Sequence, residues 1–162
     1  MQGGWISYAL LACLATALVF AAITDIQRRQ IDNWLTAGIA LSAPLFWIAT
    51  GLGWEAVLWH LGIATATFAV LAALFALGQM GGGDVKLLTA LALWIQPLWF
   101  TRLIIVMAIV GGLLTLGFAL HHKLRKSEDR LAVPYGVAIS IAGLWTLARQ
   151  YFGEDFAGPM LG

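Results

Sequence analysis

The chain has one cysteine, Cys13, in 162 residues, which excludes an internal disulfide and any zinc site built on several thiolates. Cys13 lies inside an apolar run, where a thiol serves as a small packing residue. Charge is equally scarce. Asp, Glu, Lys and Arg make up 10% of the residues, against ~25% in an ordinary soluble domain, too little to coat a water-soluble globule. No charged stretch between apolar runs is longer than that from His121 to Arg130, which leaves no room for a separate soluble domain. Nine Lys and Arg against eight Asp and Glu give a net charge of +1, too balanced for nucleic-acid binding.

Apolar sequence is abundant: 61% of the residues are hydrophobic and the mean hydropathy is +0.88. A helix needs ~17–25 apolar residues to cross the ~30 Å hydrocarbon layer. Six runs fit six crossings, with little chain left over: Trp5–Ile23, Trp34–Leu52, Val57–Leu77, the short Val85–Ile95, Leu103–Leu120 and Val133–Ala148. The segment before Trp5 holds no basic residue, so the first run reads as a permanent span and not as a cleaved signal peptide. The expected fold is all-α: a polytopic bundle of six transmembrane helices forming one domain over residues 1–162.

Basic residues near span ends mark the cytoplasmic side. With both termini outside, Arg28, Arg29, Lys86, Lys123, Arg125, Lys126 and Arg130 lie in the cytoplasm, against Arg102 and Arg149 outside. Trp5, Trp34, Trp54, Trp94, Trp99 and Trp145 fall near span ends, as an aromatic belt requires, although lipid-facing bulk accounts for most of them equally well.

This topology puts Asp25, at the end of the first run, and Asp84, at the start of the fourth, at the same cytoplasmic boundary. Acids at membrane depth are costly and point to function by default. Two carboxylates brought together share a proton, the state in which an aspartic protease activates water with one acid while the other protonates the carbonyl. The glycines between Gly78 and Gly83 give a substrate strand room to approach, and irregular backbone is tolerated at membrane depth where it lines a wet cavity. Another reading stands beside this one, in which Asp84 is a helix N-cap and Asp25 a terminal acid beside Arg28 and Arg29.

Asp25, followed after five residues by Ile31-Asp32-Asn33, is similar to the Asp and the later Ile-Pro-Asn of the type IV prepilin peptidases, which are GxGD-type intramembrane aspartyl proteases. Gly81-Gly82-Gly83-Asp84-Val85-Lys86-Leu87-Leu88 resembles that family's signature at its second aspartate, and Val133-Pro134-Tyr135-Gly136-Val137-Ala138-Ile139 its late Pro-Tyr-Gly stretch. The departure is Asp32, where the family usually has Pro, and it adds a third acid to the segment.

The resemblance implies Asp25 and Asp84 as the catalytic pair, with no cofactor or metal. It implies prepilin or pilin-like precursors as partners, cut at the cytoplasmic face of a bacterial inner membrane. Gly81 and Gly83 would give backbone access. Lys86 either stabilises the pair or snorkels to headgroups, and Pro134 and Tyr135 either line the entrance or begin the last span, where Pro is tolerated. Larger members carry a cytoplasmic loop with paired Cys-x-x-Cys ligands, associated with N-methylation. One cysteine cannot build it, so the chain looks like the short peptidases of tight-adherence (Flp) pilus systems.

Remaining polar residues carry less. His121 and His122 are adjacent and do not face each other on a helix, and His60, alone in its run, reads as a packed or hydrogen-bonded histidine. A small proton-coupled transporter and a non-catalytic assembly factor fit the same hydropathy and charge.

Overall fold

The computed structural model describes residues 4–125 and 135–153. Among these residues there are six helices and no strand: α1 (Trp5–Arg28), α2 (Asn33–Thr50), α3 (Trp54–Ala76), α4 (Gly82–Ala92), α5 (Pro97–Arg125) and α6 (Tyr135–Phe152). Each apolar run yields one helix, in order. By length and composition, α1, α3 and the Pro97–Gly117 part of α5 are long and apolar enough to cross a membrane. Many large apolar side chains face outward, with Leu41 and Ile48 each more than three-quarters exposed. Such a surface suits lipid contact.

The shortest helix is at the centre. At 11 residues, α4 is about 16 Å long, yet Leu87, Leu88, Leu91 and Ala92 on it are fully buried, enclosed by α2, α3 and α6. Ending a helix inside the protein leaves its last carbonyls without partners. Here aromatic donors supply them. The Trp47 indole N–H donates to the Leu93 carbonyl over 2.8 Å and the Tyr151 hydroxyl to the Trp94 carbonyl over 2.9 Å, while Trp94 itself donates to the Ile39 carbonyl of α2 over 2.8 Å. Phe46 stacks on Trp94 with ring centroids 5.0 Å apart. Tyr151→Phe keeps the ring and orphans the Trp94 carbonyl, so it should cost about 1–3 kcal/mol, read as a lower melting temperature in detergent.

Four expectations change. Trp94 is not an interfacial tryptophan: it is 1% exposed, because it closes the buried end of α4. Cys13 faces outward, away from the bundle interior. The first helix does not stop at Thr24 but runs through Asp25 to Arg28, and Arg29 closes it in the left-handed region at φ 52°, its N–H bonded to the Asp25 carbonyl. The fourth helix starts at Gly82, ahead of Asp84, with Gly81 as its N-cap. Glycine weakens helices in their interior, but first-turn residues have no intrahelical N–H bond to lose. His60 is buried, its Nδ1 2.8 Å from the Ala56 carbonyl oxygen.

In the bundle α1 packs against α2 and α6 while α4 packs against α2, α3 and α6. The C-terminal end of α1 and the N-terminal ends of α2, α4 and α6 meet at one end of the bundle.

Candidate active site

At that end lies a cavity of about 370 Å3, lined by Asp25, by residues 29–33 between α1 and α2, and by Gly81-Gly82-Gly83-Asp84. Two carboxylates 59 positions apart in sequence thus share one space. Asp25 comes from the last turn of α1 and is 6% exposed. Its Oδ2 is buried without a hydrogen-bond partner among the described residues.

Asp84 is the third residue of α4. From there its carboxylate reaches back to the N–H of the N-cap Gly81, the return half of a capping box. It is therefore not the N-cap itself, and Arg28 pairs with Asp32, which leaves Arg29 as the basic neighbour of Asp25. Asp84 lies outside the three helices that are long and apolar enough to cross a membrane. Burial, and next the charge of Asp25, push its carboxyl up from 3.8 to about 6, against the opposing pull of the Gly81 N–H. A shared proton is what two carboxylates in one poorly hydrated space demand.

The glycines are needed for close approach. A Cβ on Gly81 would lie 2.9 Å from Asp84 Oδ2, and one on Gly83 would lie 3.1 Å from Ile31 Cβ. The first keeps the carboxylate over its own helix start; the second lets the α1–α2 connection lie against α4.

The other expected site residues are placed less centrally. Asp32 lines the cavity, but its Oδ2 is 3.0 Å from Arg28 Nη2 in a partly exposed ion pair. Lys86 donates from Nζ to Asn33 Oδ1 over 2.8 Å, tying α4 to the start of α2 and away from the carboxylates. Tyr135 is 46% exposed, and its ring lies against Gly111 of α5, not against the cavity. Pro134 and the basic segment Lys126–Arg130 lie outside the described residues, as do the side chains of His121 and His122.

Two contributors lie in the motifs read from the sequence but were given no role there, Ile31 and the first turn of α6. The amides of Gly136 and Val137 face the Asp25 carboxylate, although neither gives Oδ2 a well-formed hydrogen bond. Ile31 carries no chemical signature. Gly136 stands beside the two residues of its stretch that do attract notice.

Residues 12–120 match the model of the type IV leader peptidase family. No curated protein and no solved structure matches the chain. Since the matched region covers more than half of the chain and holds Asp25 and Asp84, the chain belongs to the type IV leader peptidase family and is a membrane peptidase.

Proposed function

We propose that the protein is an intramembrane aspartyl endopeptidase that removes the cytoplasmic leader from prepilins of the tight-adherence (Flp) type. In this reading the six apolar runs form the transmembrane bundle of one domain, with Asp84 just ahead of the fourth, both termini lie outside, and the cavity opens at the cytoplasmic face of a bacterial inner membrane. The observation that carries it is the meeting of Asp25 and Asp84 in a single glycine-walled cavity.

The pair enters the reaction carrying one proton. The ionised carboxylate takes a proton from water as its oxygen attacks the scissile carbonyl carbon, and the protonated one gives its proton to the carbonyl oxygen. Collapse of the tetrahedral intermediate breaks the C–N bond: the departing nitrogen takes a proton from one carboxyl while a hydroxyl of the intermediate returns a proton to the other, so the pair again carries one proton. Water, peptide and two carboxyls balance without any further group.

A pair that needs one proton loses activity when that proton leaves. With Asp84 titrating at about 6, kcat/KM should fall as pH rises through roughly that value. A profile still rising between pH 6 and 8 would contradict this.

The direct test is co-expression with an Flp-type prepilin, following leader removal by mass for wild type, Asp25→Asn, Asp84→Asn and Asp32→Asn, each checked for membrane insertion. Cleavage by wild type and Asp32→Asn alone supports the reading. Normal cleavage by both Asp25→Asn and Asp84→Asn sinks it.

A further inference from the structure

The family match ends at residue 120, before α6 begins, yet α6 reaches the site. Gly136, its second residue, is buried. A Cβ there would lie 2.8 Å from Asp25 Oδ2, 2.9 Å from Asp25 Cγ and 2.9 Å from Ile31 Cδ1, all closer than side chains tolerate. The carboxylate has little freedom to move aside, because Asp25 is buried on the last turn of α1. Ile31 is itself held by its contact with Gly83.

The first-turn amides of a helix have no partners within it and form the positive end of its dipole. Those of Gly136 and Val137 are turned to the Asp25 carboxylate, whose Oδ2 has no hydrogen-bond partner among the described residues. The charged groups around Asp25 are Asp84 on α4 and Arg29 at the end of α1. Two turns along α6, Gly143 makes a different contact: its Cβ would meet Leu18 Cδ1 at 3.0 Å, the free end of an apolar side chain. One glycine of α6 thus serves packing, and the other touches the site.

We propose that Gly136 is a positioning residue for Asp25: its missing side chain lets the N-terminus of α6 abut the carboxylate and hold it toward the cavity shared with Asp84. The inference rests on the aspartyl peptidase reading above. Any side chain at 136 turns Asp25 away from its partner. A misplacement of this size costs on the order of 10²-fold in rate, and the loss falls on kcat because the substrate still meets the same cavity walls.

The test uses the full chain in detergent micelles, an Flp-type prepilin as substrate, and 13C NMR titration of the Asp25 carboxyl. The variants are Gly136→Ala, Gly143→Ala, Ile31→Val and the double variant Gly136→Ala/Ile31→Val. Gly136→Ala should lower kcat by about 10²-fold with KM nearly unchanged, and should displace the Asp25 titration midpoint. Gly143→Ala should leave the midpoint and the pH profile as in wild type. Ile31→Val removes the Cδ1 clash alone, so the double variant keeps the fold accessible if Gly136→Ala does not fold. It should remain as slow as Gly136→Ala relative to Ile31→Val.

Wild-type kinetics and midpoint in Gly136→Ala, or full rescue by Ile31→Val, would overturn the proposal. If wild type cuts no prepilin, the peptidase reading fails, and the Asp25 titration still decides whether Gly136 positions that carboxylate.

Discussion

Asp25→Asn and Asp84→Asn each reduce leader cleavage by about 10³-fold, within the 10²–10⁴-fold range that a positioned acid or base supplies. The amide keeps the size of the carboxyl but neither takes a proton from water nor gives one to a carbonyl oxygen. The two acids act on one shared proton, so their losses do not add, and the double variant is scarcely slower than either single one. Asp32→Asn separates this pair from the third acid of the cavity. Its carboxylate is engaged by Arg28 at 3.0 Å on a partly exposed face, a pair worth about 1 kcal/mol at most, and cleavage stays within about threefold of wild type if that pair has no catalytic part. Single-turnover cleavage of purified precursor, read by mass, measures all four rates.

Asp84→Asn also makes the protein more stable, and only above a certain pH. Since the folded-state value of Asp84 is raised from 3.8 to about 6, the folded protein binds its proton more tightly than the unfolded chain does. Stability therefore falls as pH rises from about 4 to about 6 and is lower by on the order of 3 kcal/mol above that, because each tenfold difference in proton affinity is worth ~1.4 kcal/mol. Asparagine has no charge to desolvate, so the variant lacks this slope. Melting in detergent at pH 4 and pH 7.5 should show a gain for Asp84→Asn at the higher pH and little at the lower. Equal changes at both would mean that Asp84 is not held in an environment hostile to its charge. A residue that destabilises the resting protein while supplying a proton donor is the trade between stability and activity expected of a site.

How much of the fold and the site is legible in the sequence follows from how far each signal reaches along the chain. Apolar runs are local, and each forms a helix in order. Their ends are less legible, because capping decides them: Arg29 in the left-handed region carries α1 past Asp25, and Gly81 as N-cap starts α4 ahead of Asp84. Asp25 and Asp84 stand out as candidates because acids are rare in so apolar a chain, and their neighbours carry the family resemblance. That they line one cavity is a matter of helix packing.

The roles of the supporting residues are not written locally at all. Two positions from Asp84, Lys86 has the place of a partner for the acids, and it instead reaches Asn33, 53 residues away in sequence. Trp94 has the position of a belt residue, but a short central helix needs its last carbonyls capped, and that need exists only once α2 and α6 enclose it. Gly136 is one of 18 glycines, and although it lies in the Pro-Tyr-Gly stretch, its contact with Asp25 is not written there; at Gly62 or Gly112 a Cβ would meet only open space. Composition and hydropathy by themselves determined a helical, lipid-facing chain, and rare charges marked two acids within it, since burial and charge act residue by residue. Only the tertiary structure decided which backbone lies against which carboxylate, because the close approach of Gly136 to Asp25 depends on how α1 and α6 pack and not on any one segment.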